Sequence, residues 1–308
     1  MRKTNVAIIG AGEIGRAIDQ LMDAPSVSVD LWDAQDGKVQ NQKSLEAVVS
    51  RAHVIFFCVP SWVLAQAVAS CAPYLNARTI VVSISKGIEG TTQQLTDAFW
   101  PSVLPAGQPF VLLAGPMLAQ EIYDGRGASA TIASKSQRIS RRVAALFGGK
   151  NLRCDFTRDV HGTALASVLK NIYSVAMGIA NGLAWGGNRQ GWLASRAIQE
   201  MFGLMKDLGG KKETLFLSAG LPDFLATGYS DCSHNRSSGR TLVTSGVKDV
   251  KSEGTVSIAP LVRMLGDRVS LYPLLIRLER ILVRHEAPES LFESFFHEED
   301  TPVSHTRP

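Results

Sequence analysis

A doubly wound α/β domain of parallel strands, followed by an all-helical domain, is the fold this sequence predicts. Short runs rich in Val and Ile alternate with helical patterns through the first half, the signature of parallel strands joined by crossover helices. The first of these runs leads directly into Gly10, Gly12 and Gly15. After about Phe156 the β-rich runs stop and long apolar helical segments take over.

Taken in order, the first strand spans 6–9 and feeds a helix from Glu13 to about Asp23. Further strands are expected over 27–31, 54–59, 80–84, 110–114 and 130–133, in a doubly wound arrangement. The second half predicts helices over 163–182, 191–208 and 260–283, with Gly/Ser clusters at 185–190 and 231–239 read as loops. Residues 163–185 are nearly apolar enough for a membrane span. Lys170, Asn171 and Asn181 inside that stretch point instead to a buried central helix, and no membrane insertion is expected. The polar, acidic and Pro-containing stretch from His285 reads as a loosely ordered tail. The division expected is therefore 1–156 for a dinucleotide-binding domain, 157–285 for a substrate and catalytic domain, and 286–308 for the tail.

At 308 residues, 45% apolar and 19% charged, the chain has ample material for two cores. Its 32 basic and 28 acidic residues leave a net charge of +4, dispersed without a Lys/Arg block, which excludes a nucleic-acid partner. Cys58, Cys71, Cys154 and Cys232 lack CxxC spacing and read as reduced core thiols of a cytoplasmic protein. No secretory leader can be drawn from the N-terminus, where only a short apolar run precedes the glycines and Glu13.

In NVAIIGAGEIG each glycine has a task. Gly10 permits the tight turn, Gly12 lets the backbone approach a pyrophosphate, and Gly15 lets helix and strand pack closely. The helix N-terminus adds free amides and a positive dipole end. Asp33, at the end of the second strand, is placed to accept hydrogen bonds from an adenosine ribose, with Asp36 a competing candidate. A carboxylate there repels a 2′-phosphate, so NAD is expected in preference to NADP.

Polar residues also end three other apolar runs, at Val59-Pro60-Ser61, Ser85-Lys86-Gly87 and Ala114-Gly115-Pro116, where an α/β crevice gathers its ligands. Lys86 there suits an anion- or carbonyl-facing role. Lys170 is an ionisable group inside a long apolar helix, with Asn171 beside it and Ser174 one turn along. Burial lowers a lysine pKa toward the range useful for proton transfer.

These residues resemble the NAD(P)-dependent glycerol-3-phosphate dehydrogenase family. The motifs are GAGEIG, FFCVPS, SISKGIEG, AGPMLAQE, ALASVLKNIYSVAMGIANGLAWGGN, the R-x-x-x-E-M from Arg196 to Met201, LSAGLPDF, SHNRSSG and the SEG at Ser252, in the family's order. The resemblance implies a Rossmann domain followed by an all-α domain of the 6-phosphogluconate-dehydrogenase-like type. It implies reversible reduction of dihydroxyacetone phosphate, with Lys170 as general acid/base, Lys86 near the nicotinamide, Asp223 orienting lysine and substrate, and Asn171 beside them. The dinucleotide would lie on Gly10, Gly12, Glu13, Ile14, Gly15, Asp33, Pro60, Ala119 and Glu253. The small phosphorylated substrate would touch Lys86, Gly115, Met117, Lys170, Asp223 and the turn Ser233, His234, Asn235 and Arg236. A homodimer is expected, and no metal. A related two-domain dehydrogenase acting on another small hydroxy or keto substrate is the first alternative, and a non-catalytic NAD-binding homologue the second.

The chain also departs from the resemblance. His234 stands where the family has an arginine, Met117 where a Ser or Thr hydroxyl is common, and Gly187 where an aspartate is common. The segment between Asp33 and Val54 is short. Each change falls on the substrate side rather than on the hydride-transfer machinery.

Overall fold

The computed structural model describes residues 3–22, 25–148, 151–247 and 249–298. The α/β half runs β1 (Thr4–Ile9), α1 (Glu13–Leu21), β2 (Val27–Trp32), α2 (Leu45–Ser50), β3 (Val54–Phe57), α3 (Leu64–Cys71), β4 (Ile80–Ser83), α4 (Thr96–Val103), β5 (Phe110–Ala114), α5 (Ala119–Tyr123), β6 (Ala128–Ala133), α6 (Gln137–Ala144) and β7 (Leu152–Thr157). The helical half is α7 (Val160–Gly182), α8 (Gly187–Asp207), α9 (Leu221–Tyr229), α10 (His234–Thr244), α11 (Glu253–Leu265), α12 (Pro273–Arg284) and α13 (Pro288–His297).

One seven-stranded sheet has the order β2-β1-β3-β4-β5-β6-β7. All its pairings are parallel except β5 with β6. The strand order reverses between β1 and β3, which opens a crevice at their carboxyl ends. Side chains divide by parity: Val6, Ile8, Val54 and Phe56 enter one apolar cluster, while Ala7, Ile9, Ile55 and Phe57 enter another. The second cluster continues into α7, α8, α11, α12 and α13, so the helical half is built onto one face of the sheet.

α7 is the axle of that half. It is buried on all sides from Thr163 to Ala180, and Asp159 caps its start by accepting from the Gly162 amide. α7 is long and apolar enough to cross a membrane, yet its apolar window is wholly buried in the fold. α10 crosses α7 closely because Gly239 carries no side chain: a Cβ there would lie 2.1 Å from the Val175 carbonyl oxygen.

Several expectations need correction. β7 was not foreseen, because LRCDFT at the sheet edge mixes Arg153 and Asp155 into its apolar positions. The first helix ends at Leu21, and Asp23 lies outside the described residues. The helix expected over 260–283 is two, α11 and α12, separated where Gly266 takes φ +57° and Pro273 starts a new helix. The clusters at 185–190 and 231–239 are loops only in part: α8 begins at Gly187, and α10 begins at His234 under a Ser233 cap. Within the expected tail, α13 buries Leu291, Phe292 and Phe295. Trp185 stacks edge-on to Phe292 at 5.6 Å, and Arg189 lies 3.9 Å over the Trp185 ring while pairing with Glu293 at 2.6 Å. Residues 299–308 lie outside the described residues. The thiol expectation fails at Cys232, which is exposed.

Candidate active site

At the carboxyl end of β1 the chain turns through Gly10, with φ +100°, into α1. A Cβ on Gly15 would sit 1.9 Å from the Gly10 carbonyl oxygen, so only glycine lets helix and turn meet there. The space over Gly12 is open, and α1 has no side-chain cap, leaving its first amides for an anion. Asp33 follows β2 and is the acid tied to this turn: its Oδ2 accepts from the Ala11 amide at 2.7 Å and its Oδ1 from the Gln35 amide at 2.9 Å. Ile14 packs half-buried against the apolar cluster beside the turn. Cradle, dipole and acid together fit a dinucleotide, with phosphates on α1 and a ribose at Asp33.

The second group of residues converges beyond β4. Asp223, in the first turn of α9, is placed by the preceding segment: the Ser218 amide and hydroxyl donate to Asp155 on β7 at 2.9 and 2.6 Å, and the Ala219 amide donates to Thr131 on β6. Its carboxylate takes Lys86 Nζ on Oδ2 at 2.7 Å and Lys170 Nζ on Oδ1 at 3.0 Å. Lys86 also donates to the Gly115 carbonyl at 2.6 Å. Lys170 is 3% exposed, whereas the Lys86 side chain keeps 17% of its surface, so Lys86 is the member of the trio open to an incoming molecule.

Burial and the Lys86 charge depress the Lys170 ammonium, Asp223 partly restores it, and the balance is a pKa pushed down to about 8. Burial alone would raise the Asp223 carboxyl, but the two lysines outweigh it and hold Asp223 below the usual carboxylate range. An amine that is half-charged at about pH 8 is therefore fixed beside an anion and a second cation.

A chain of amides locks this group to its surroundings. Asn171 Nδ2 donates to the Lys86 carbonyl at 3.0 Å, Asn235 Nδ2 donates to Asn171 Oδ1 at 2.8 Å, and the Gly254 amide donates to Asn235 Oδ1 at 2.8 Å. Next to it, Glu253 at the start of α11 accepts from the Ser61 amide at 2.8 Å and hydroxyl at 2.7 Å, tying the loop after Pro60 to the helical half. Burial raises the Glu253 carboxyl despite these bonds.

The remaining expected residues fall into two other places. Glu13, Ala119, Ser233 and His234 line a cleft of about 400 Å³ with Tyr123 and Asp231. Arg236 is paired with Asp231 rather than turned to the lysines. Met117 is buried in the apolar cluster of the α/β half. The sequence reading missed Ser61 as a partner of Glu253, and Asp231 and Tyr123 as cleft residues. Only Ser61, at the end of an apolar run, carried a usable signal.

Two family models match, one described as the NAD-dependent glycerol-3-phosphate dehydrogenase N-terminus over residues 34–140 and the other as its C-terminus over 159–293. Among curated relatives, the glycerol-3-phosphate dehydrogenase [NAD(P)+] of Synechocystis is 32% identical over 235 residues, covering 75% of this chain and 71% of its own. That of Acaryochloris marina is 28% identical and covers 98% of both chains. The crystal structure of glycerol-3-phosphate dehydrogenase from Coxiella burnetii has the same fold, with a TM-score of 0.86 at 24% identity, over 96% of this chain and 99% of that one.

Proposed function

The chain belongs to the NAD-dependent glycerol-3-phosphate dehydrogenase family, and from that premise we propose that it interconverts dihydroxyacetone phosphate and sn-glycerol 3-phosphate with NAD. The observation that carries this reading is the single Asp223 carboxylate holding both Lys86 and Lys170, with the Lys170 pKa near 8. A dinucleotide whose pyrophosphate lay on the Gly10–Gly15 turn would supply or accept the hydride through its nicotinamide.

Lys170 gives its proton to the alcohol oxygen as the ketone is reduced and, neutral, takes one back in oxidation. An amine with a pKa near the working pH serves both directions. Lys86, the more open cation, faces the negative charge that develops on that oxygen. Asp223 keeps both ammonium groups aimed at one point and, with Asn171, fixes their geometry. Gly115 contributes its carbonyl to Lys86. We assign the substrate phosphate to the first turn of α10, with Ser233, His234, Asn235 and Arg236, where the helix dipole favours an anion beside the Ser233 cap. The dinucleotide would be held by Gly10, Gly12, Glu13, Ile14, Gly15, Asp33, Pro60, Ala119 and Glu253.

A related small keto substrate is the second reading, supported by His234, where the resemblance has an arginine toward the substrate phosphate. Monitoring NADH oxidation with dihydroxyacetone phosphate against a panel of unphosphorylated keto acids separates the two. Turnover confined to the unphosphorylated panel sinks the first. NADH binding without turnover on any of them supports a non-catalytic homologue. We further propose a cytoplasmic homodimer without membrane insertion, in keeping with the apolar side chains of Phe216, Leu225 and Tyr229 left exposed on the helical half. A monomeric mass in sedimentation would exclude the dimer.

A further inference from the structure

Resting on the dehydrogenase reading above, we propose that Asp155, the acid on the edge strand β7, is a positioning residue for proton transfer: through Ser218 it sets where the Asp223 carboxylate stands between Lys86 and Lys170. Among the described residues, that carboxylate hydrogen-bonds only to the Nζ atoms of the two lysines. Both ammonium groups end flexible four-carbon stems, which follow a carboxylate more readily than they hold it. The place of Asp223 is therefore dictated by its own backbone, in the first turn of α9.

That backbone is held from the sheet. Asp155 Oδ2 accepts from both the Ser218 amide at 2.9 Å and the Ser218 hydroxyl at 2.6 Å, the stronger, charge-assisted kind of hydrogen bond. Beside it, Thr131 Oγ1 on β6 accepts from the Ala219 amide at 2.9 Å. Between these anchors and Asp223 lie Gly220, Leu221 and Pro222. Gly220 is wedged, since a Cβ there would lie 2.2 Å from the Leu215 carbonyl oxygen, and Pro222 has a fixed φ in the first turn of α9. A shift at Ser218 is therefore passed on to Asp223. Further back, Asp159 holds the same segment through the Lys211 amide at 3.1 Å and the Thr214 hydroxyl at 2.6 Å, so removing Asp155 loosens the approach to α9 without detaching the segment.

The consequence is read at Lys170. It faces Asp223 of α9, Lys86 after β4 and Glu253 of α11, while α10 contributes the neutral Asn235 through Asn171. Of the two acids, Asp223 supports the charged amine more. Widening the 3.0 Å contact by about 1 Å lowers the Lys170 pKa by up to about one unit at an effective dielectric of about 20. A purely structural role for Asp155 would lower the amount of folded enzyme and leave that pKa where it is.

The test is the pH profile of kcat/KM for dihydroxyacetone phosphate reduction at saturating NADH, with NADH affinity by fluorescence titration, for wild type, Asp155→Ala, Asp155→Asn and Thr131→Val. The break should fall from about pH 8 in wild type to about pH 7 to 7.5 in Asp155→Ala, with NADH affinity unchanged. Thr131→Val removes an acceptor but no charge and should move the break the same way by a smaller amount. Asp155→Asn keeps an acceptor oxygen for Ser218 and should stay closer to wild type than to Asp155→Ala. A break at the wild-type pH in Asp155→Ala overturns the inference and leaves a role in folding alone. An Asp155→Asn shift as large as that of Asp155→Ala also overturns it, because charge rather than place would then be acting. If Asp155→Ala does not fold, Thr131→Val decides by itself, and an unmoved break there overturns the inference. Wild type that binds NADH without turning over dihydroxyacetone phosphate overturns the proposed function and this inference with it, whereas wild-type turnover with unmoved breaks in the variants overturns this inference alone.

Discussion

Replacing Asp223 by Asn should move the pH at which Lys170 titrates rather than merely lower the rate. The carboxylate oxygen lies 3.0 Å from Lys170 Nζ in a site where that lysine is buried. At an effective dielectric of about 20, a unit charge at that distance is worth roughly 5 kcal/mol, or about four pKa units, as an upper bound. Relaxation and entering water roughly halve it, so the fall expected is about two to four units from a wild-type value of about 8. Reduction needs protonated Lys170. The rate of dihydroxyacetone phosphate reduction, as kcat/KM, should therefore fall through about pH 8 in wild type. In Asp223→Asn it should already be falling about tenfold per pH unit between pH 6 and 7. The assay is NADH oxidation at saturating NADH from pH 5.5 to 9.5. An Asp223→Asn profile that breaks at the wild-type pH, with only its height reduced, would refute the coupling.

Lys86→Met should shift the same break upward, because the Lys86 charge lowers Lys170, and should reduce kcat about 10²-fold or more by removing a cation from the developing oxyanion; a downward shift contradicts the assignment. Glu200, buried on α8, accepts from Tyr173 and from the Leu274 and Leu275 amides, and burial pushes it up to about 7 from an ordinary 4.5. A carboxyl raised on folding contributes stability that is present below about pH 4.5 and lost as pH rises through about 7, here on the order of 3 kcal/mol. Thermal melts from pH 4.5 to 8 should show a smaller decline in Glu200→Gln than in wild type, and parallel curves would discount it. Phe292→Ala should cost roughly 3–5 kcal/mol in urea unfolding if α13 is part of the core, and a cost below about 1 kcal/mol would restore a loose tail.

Much of this architecture is written locally in the chain. The β1 turn is legible because Gly10 and Gly15 answer steric demands that hardly any other residue meets, and α7 because a lysine amid apolar turns must be buried with a partner. What stayed hidden depends on distant partners. β7 carries too mixed a pattern to stand out until it pairs with β6 at the edge of the sheet. α13 looks polar along the chain, and its Phe292 and Phe295 count only once Trp185 and Trp192 of α8 and its approach are in place. The Glu253–Ser61 contact joins residues 192 positions apart, and although Ser61 stands out at the end of an apolar run, nothing local names its partner. Met117 shows the opposite failure: its place in a motif suggested the substrate, while its side chain is committed to the apolar core of the α/β half.

Proton transfer by Lys170 is the central claim, and Lys170→Met tests it most directly. Single-turnover oxidation of bound NADH by dihydroxyacetone phosphate should slow by about 10²–10⁴-fold, while NADH affinity stays within about twofold of wild type because no cofactor contact has been removed. A single-turnover rate within about tenfold of wild type would contradict the claim and move the proton to another group.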